Sequence, residues 1–447
     1  MRAISSRTVL LTLTLTLAVS GCDVAPYASA SAGPALRRST PESVGMSSER
    51  LTRLHDAMQE LVDDGRLSGI TTMITRRGRV VDFQTYGQAD IEAGVQMEED
   101  AIFRIYSMSK PITGVALMTL YEEGKFRLSD PVQRYIPEFT DLKVAASWGP
   151  DGPVLEDADH PMTIRELMSH TAGLAYGIGS PGPTDSIYSA RGVLSRQGNL
   201  QDMINKLAEI PLRHQPGSQW YYSIAVDVQG YLVEVLSGQP FDEFLQERIF
   251  DPLRMVDTGF HVPEEDHGRL VQYYGYDREG SLVAPPNRGA VGSRAYLDPT
   301  TFFSGGGGLV STTTDYMRFS QMLLNGGELD GARILSPTTV DLMTRNQMPR
   351  DNPERSPGGG FGLDFSVVLD AVGSEYVSVG EYGWGGAAGT WFWIDPVEDL
   401  IFVGMIQQRG GGGRPNVRSI SHRLTYQAIV TSAAELAQDD WSAAQDG

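Results

Sequence analysis

Ile70-Thr71-Thr72-Met73-Ile74-Thr75, then Arg77-Gly78, then Val80-Val81-Asp82-Phe83-Gln84-Thr85-Tyr86, reads as two strands joined by a tight turn. β-Branched and aromatic residues fill both runs, and the turn glycine reaches positive φ without a steric penalty. Upstream, Ser47 or Ser48 can cap a helix that carries Leu51, Leu54, Met58 and Leu61 on one face. Strand signals return only near the far end, at 362–368, 376–379, 389–394 and 400–406, each bounded by Gly, Asp or Pro. Residues 416–435 then read as a closing helix, and 107–300 carry helical patterns broken by Pro/Gly loops such as 149–153 and 177–184. Strands at both ends with helices between predict an α+β fold, an α/β sandwich around one central antiparallel sheet plus an inserted all-α region. The expected boundaries are a sheet drawn from about 41–104 and 300–437, a helical region at about 105–299, and a tail at 438–447.

The chain has 447 residues, with 36 Lys+Arg against 56 Asp+Glu and a net charge of −20. An acidic chain without basic blocks is a poor nucleic-acid binder, because phosphate neutralisation supplies most of that affinity. Hydrophobic content of 41% with 21% charged residues describes a chain that builds a core. One cysteine excludes a disulfide framework and any Cys-based metal site, and the seven histidines show no H-E-x-x-H spacing. The runs 305–308 and 410–413 are glycine loops without the Lys-Ser/Thr pair of a phosphate cradle. No cofactor and no metal are implied.

The single cysteine closes an N-terminal segment. Arg2 and Arg7 precede an apolar stretch at 9–19, too short to span a bilayer, which needs about 20 residues, and suited to a signal-peptide core. It ends in Val19-Ser20-Gly21-Cys22, which resembles the lipobox of bacterial lipoproteins. That resemblance implies cleavage of residues 1–22 before the cysteine and lipidation of Cys22; the alternative is an ordinary secretory signal cut after Ala28-Ser29-Ala30. Residues 23–40 read as a flexible tether, and Asp23 resembles an inner-membrane retention signal.

The chemistry starts at Ser107-Met108-Ser109-Lys110. A nucleophilic serine needs a base within hydrogen-bond reach, and S-x-x-K places both on one helical turn. Ile112 to Glu123 reads as a buried helix ended by Gly124, so Ser107 lies at a helix N-terminus with free N–H groups beside it. A plain N-cap is the alternative reading. To act as a base Lys110 must be neutral, and bringing its pKa from about 10.4 to about 7–8 requires roughly 4 kcal/mol. A helix dipole supplies about 0.3–1 kcal/mol, so desolvation is expected to do most of it.

Together with this motif, Pro216-Gly217-Ser218-Gln219-Trp220-Tyr221-Tyr222 and Trp384-Gly385-Gly386 resemble the three motifs of the serine β-lactamase-like hydrolases. The stretches 163–174 and 305–315 agree, and the resemblance runs from about 40 to about 435. It implies a β-lactamase/transpeptidase-like fold with Ser107 as acyl acceptor, Lys110 as its activator and Tyr222 shuttling a proton to the leaving group. It also implies an oxyanion hole from the N–H groups of Ser107 and Ala387. Tyr221 is assigned to packing, because spacing from the Pro-Gly turn selects Tyr222.

Two departures bear on substrate. Penicillin-processing members carry Asn two residues after the tyrosine and Lys or His at the head of the third motif; here stand Ile224 and Trp384. With Gly385 and Gly386 these are the candidate substrate-binding residues. The pattern looks most like the family VIII carboxylesterases, which implies neutral esters rather than anionic β-lactams. His170 reads as a buried hydrogen-bonding residue and Asp227 as structural, while Trp384 and, as a further candidate, Trp391 are assigned to the acyl-pocket wall. A β-lactamase or D-Ala peptidase of the same fold, and a non-catalytic binder of cell-wall peptides, remain the alternatives. The expected partners are a small ester or acyl substrate and a membrane reached through the lipid anchor only, on the periplasmic side of the envelope, with the oligomeric state open.

Overall fold

Alternation along the first strand explains the layering. In β1 (Gly69–Arg76), Thr71 and Thr75 point one way, and Ile70 and Ile74 the other. The Thr71 hydroxyl lies 2.6 Å from that of Thr313, and Thr75 donates to Gln321 at 3.3 Å. Ile70 and Ile74 join Leu51, Leu54, Met58 and Leu61 in a second core on the opposite face. All of β1 is buried, as a strand covered on both faces must be.

The computed structural model describes residues 36–178, 182–285, 296–348, 357–374, 377–409 and 414–438. Cys22 and the leader and tether expectations lie outside these residues. The eight-stranded antiparallel sheet adds β2 (Arg79–Asp90), β3 (Val95–Gln96), β4 (Gly359–Phe361), β5 (Ser366–Val368), β6 (Tyr382–Gly385), β7 (Trp391–Asp395) and β8 (Leu400–Met405). Its order is β4-β5-β6-β7-β8-β1-β2-β3, so the two ends of the chain meet where β1 pairs with β8, Thr71 opposite Met405. The turn between β1 and β2 is made by Arg77 (φ 53°) and Gly78 (φ 68°), the double positive φ of a type I′ hairpin.

Five helices frame the sheet and the site: α1 (Ser48–Asp63), α2 (Ser109–Glu122), α3 (Ala225–Ser237), α4 (Thr313–Leu324) and α5 (Val417–Tyr426). Ser47 caps α1 by accepting from Arg50 N–H. α1 and α5 cover one face of the sheet, and α4, with α2 beyond it, covers the other. Among the described residues no helix is long and apolar enough to cross a membrane.

Four expectations need correction. The segment 362–368 is not one strand: Asp364 takes φ 65°, and β4 folds back on β5. Val377–Val379 is not a strand, and the pairing segment is β6, a few residues on. The closing helix stops at Tyr426, because the chain beyond turns to pair with the N-terminal segment, Ile429 opposite Met46. The inserted region is not all helix, since Lys143–Gly149 and Gly152–Asp157 form a hairpin.

On the α1 side, His55 Nε2 lies 2.8 Å from Asp82 Oδ1, and the pairing with Asp82 holds the imidazole above its usual pKa against the pull of burial. A raised folded-state pKa stabilises the fold fully below the unfolded value, about 6.5, and this contribution fades as pH rises through the folded value. His55→Gln is therefore expected to lower the urea midpoint more at about pH 5.5 than at about pH 8.5. An equal loss at both pH values would refute the pairing.

Candidate active site

Ser107 lies in a single 3₁₀ turn, Tyr106–Met108, that runs directly into α2. Tyr106 adopts φ 42°, a left-handed conformation that sharpens the turn just before the serine. Pro111 occupies the first turn of α2, where its missing N–H costs nothing, and the residues from Ser109 to Leu120 are all buried. Gly124 (φ 72°) ends the helix, and Lys125 N–H returns to Leu120 O. One helical turn therefore carries Lys110 beneath Ser107.

Lys110 has no exposed surface. Its Nζ donates to Ser107 Oγ at 3.3 Å, Tyr176 Oη at 3.2 Å and Gly306 O at 2.5 Å, and lies 4.6 Å from the centroid of the Tyr222 ring. Burial pulls its pKa down, as expected from the sequence, but Tyr176, Tyr222 and Asp227 outweigh it and the net shift is upward. Desolvation therefore acts on Lys110 in the expected direction but does not decide the net shift, which the facing tyrosines and Asp227 turn upward. Desolvation pushes the Tyr176 phenol up to about 12, against the pull of Lys110.

Tyr222 is positioned by the stretch 170–175. Gly217 N–H donates to Thr171 O, Tyr221 N–H to His170 O, and Ile224 N–H to Ala175 O, all at 2.8–3.0 Å. His170 Nδ1 accepts from Ser223 N–H at 3.1 Å, so the ring proton sits on Nε2. Burial first, and the nearby Lys110 second, hold this imidazole well below its usual pKa. It is a neutral bracket for Tyr222, whose ring lies 4.9 Å from its own. Tyr221 points away, donating to Asp185 at 3.0 Å.

Trp384, on β6, meets Tyr222 directly: its indole N–H donates to Tyr222 Oη at 3.3 Å, and the rings stand 5.4 Å apart. Sequence reasoning treated Trp384 as an apolar wall and missed this donor. Gly386 closes the approach between the third motif and the nucleophile turn. A Cβ there would collide with the Thr390 hydroxyl and with Ile105 O, two residues before Ser107. Gly385 pairs with Trp391 across β7. Ala387 is exposed at this end, its carbonyl held by Arg414 at 3.1 Å. Among the described residues no backbone carbonyl accepts from its N–H.

Two assigned residues lie elsewhere. Ile224 has no accessible surface and packs in the main core, so it reaches the site only from behind the wall. Trp391 is corrected outright. On β7 it shares a face with Trp393, donates to Ser421 on α5, and belongs to the core on the α1 side; Phe392 takes the site-facing side. Tyr176 is the residue that sequence reasoning overlooked, since nothing in its spacing ties it to Lys110. Beside Trp384 opens a cavity of about 460 Å³ bordered by Trp220, Met348, Phe361, Val367 and Arg418. Among the described residues no group of His, Cys, Asp or Glu is placed to hold a metal ion.

The family model described as Beta-lactamase matches residues 54–427. Protein Rv1367c of Mycobacterium tuberculosis is 38% identical over 367 residues, which cover 78% of this chain and 88% of that protein. Esterase EstB of Burkholderia gladioli is 32% identical over 357 residues, 76% of this chain and 86% of the esterase. Among solved structures, EstCE1, described as a hydrolase with promiscuous acyltransferase activity, superposes with a TM-score of 0.73. It is 29% identical and covers 85% of this chain and 99% of its own.

Proposed function

The chain belongs to the β-lactamase family of serine hydrolases, and from that premise we propose that it cleaves carboxylic esters through an acyl-enzyme on Ser107. The observation that carries the reading is the placement of Lys110 Nζ 3.3 Å from Ser107 Oγ and against the ring of Tyr222. The reactive form is the Lys110–Tyr222 pair short of one proton. The pair takes the Ser107 hydroxyl proton as Oγ bonds to the ester carbon. The resulting oxyanion is received by the N–H groups of Ser107 and Ala387. Collapse breaks the carbon–oxygen bond to the alcohol, and the pair returns its proton to that oxygen. Water then repeats the cycle on the acyl-serine and releases the acid. Trp384 N–H donates to Tyr222 Oη and orients that hydroxyl.

The apolar wall of Trp220, Phe361 and Trp384 supports neutral esters as the substrate class. Purified protein is expected to turn over short p-nitrophenyl esters at least about 100-fold more efficiently than a chromogenic cephalosporin. Efficient cephalosporin turnover would replace this reading with the second one, cleavage of anionic β-lactams or D-Ala peptides. That reading is favoured by Arg418, which borders the same cavity with a buried Nε that has no hydrogen-bond partner among the described residues.

The proposal also anchors the protein by lipid on Cys22 in the bacterial envelope, on the strength of the apolar stretch ending in Val19-Ser20-Gly21-Cys22. Acyl chains each contribute about 0.8 kcal/mol per buried CH₂, so Cys22→Ser is expected to move the protein from the detergent phase into the aqueous phase. A wild-type protein already aqueous, its mature N-terminus beyond Ala30, would favour the ordinary secretory signal.

A further inference from the structure

We propose that Asp227 is a positioning residue for the proton-transfer pair: through Gly306 it fixes the Lys110 ammonium and supplies its buried counter-charge. The inference rests on the reading of Lys110 and Tyr222 given above. Asp227 lies in the first turn of α3 and is 1% exposed. One of its oxygens, Oδ1, accepts from the Ser304 hydroxyl and, at 3.2 Å, from Gly306 N–H. The carbonyl of the same Gly306 receives Lys110 Nζ at 2.5 Å. A single residue thus joins carboxylate to ammonium, and that residue must be glycine, because a Cβ would collide with the Asp227 carboxylate. The loop is fastened at its other end to α2, where Thr113 donates to Gly305 O at 2.9 Å and Ser109 Oγ accepts from Leu309 N–H at 3.2 Å.

Of the groups that raise the Lys110 pKa, Tyr176 and Tyr222 come before Asp227, and Asp227 is the one carboxylate among the three; His170 is held neutral by burial first and Lys110 second. Burial holds the Asp364 carboxyl well above the usual range, with Gln229 and Lys110 only partly offsetting this. Asp227 raises the Lys110 pKa, while burial holds the Asp227 carboxyl above its usual range and Lys110, Ser304 and Gly306 only partly offset this. A residue that merely packed α3 against the glycine loop would change stability and turnover without moving any titration.

The test is the pH profile of kcat/KM for a p-nitrophenyl ester. Removing a negative charge lowers the pKa of whichever member of the pair releases the proton. Asp227→Asn, which keeps an acceptor for Gly306 N–H, is therefore expected to move the acid limb down by about one pH unit. Ser304→Ala strips away a donor that favours the ionised Asp227, so the buried carboxyl moves further towards neutral and the limb moves down, by less than in Asp227→Asn. A folded Asp227→Asn enzyme with its limb at the wild-type position would overturn the proposal. If that variant does not fold, Ser304→Ala decides, and an unmoved limb there overturns it. Ser107→Ala assayed in parallel separates the two failures, because activity surviving in that protein would remove the underlying reading instead.

Discussion

Ser107→Ala is expected to abolish ester turnover, with a loss of at least about 10⁴-fold in kcat, while the thermal midpoint stays within a few degrees of wild type. The small stability effect follows from the position of Ser107, half-buried in a 3₁₀ turn, where among the described residues its hydroxyl carries one hydrogen bond, from Lys110. Lys110→Ala removes a group that contacts Ser107, Tyr176, Gly306 and the ring of Tyr222, and Tyr222→Phe removes only an oxygen. Each is expected to lower kcat by about 10²–10⁴-fold, the range of a single acid–base group. The losses should not add, because the three groups move one proton between them. Combining Lys110→Ala with Tyr222→Phe should cost little more than the worse single change. Tyr221→Phe, whose hydroxyl is turned to Asp185, should leave turnover nearly unchanged. If Lys110→Ala and Tyr222→Phe proved fully additive, two independent steps would replace the single proton-transfer unit.

Trp384→Lys is expected to shift the ratio of kcat/KM for a chromogenic cephalosporin to that for a short ester by about tenfold to a hundredfold toward the cephalosporin. A new charge-assisted hydrogen bond to a substrate carboxylate contributes roughly 1.5–3 kcal/mol. Geometry favours the exchange, because a lysine ammonium at this position can replace the indole N–H as donor to Tyr222 Oη. Against it stands the loss of ring packing with Tyr222 and Phe361. Trp384 is only half-buried, so the cost falls below the roughly 3–5 kcal/mol of a fully buried aromatic. Ile224→Asn, the other change that would restore the penicillin-processing pattern, is a poor companion. Its site has no accessible surface, and an amide left unpaired there costs about 1–3 kcal/mol. An unchanged ratio in a folded Trp384→Lys protein would show that the third-motif residue does not set substrate class.

The parts of the fold legible in the sequence are those where local signals agree with tertiary demand. The hairpin from 69 to 90 announces itself by β-branched runs around Arg77-Gly78, and α1 by one apolar stripe behind a serine cap. Between Phe361 and Tyr382 the signals mislead. The chain folds back at Asp364, which takes a positive φ inside an apolar run that reads as one strand, and the Gln229 amide on α3 donates to its buried carboxyl. Trp391 lies on the face away from the site because alternation along β7 sends Trp391 and Trp393 into the core under α1 and α5 and Phe392 to the other side. In the site, helical spacing brings Ser107 to Lys110, and Tyr222 and Trp384 join them where the resemblance, not spacing, places them. What spacing cannot carry is the sign of a buried charge. Burial alone argues for a neutral lysine, and only the three-dimensional arrangement of Tyr176, Tyr222 and Asp227 reverses it.

The most direct test is to trap the acyl-enzyme. Wild-type protein mixed with a p-nitrophenyl ester and quenched in acid within its first turnovers should gain the mass of one acyl group, and peptide mapping should place it on Ser107. The Ser107→Ala protein should gain none. An acyl group on another residue, or equal acylation of the Ser107→Ala protein, would contradict the account.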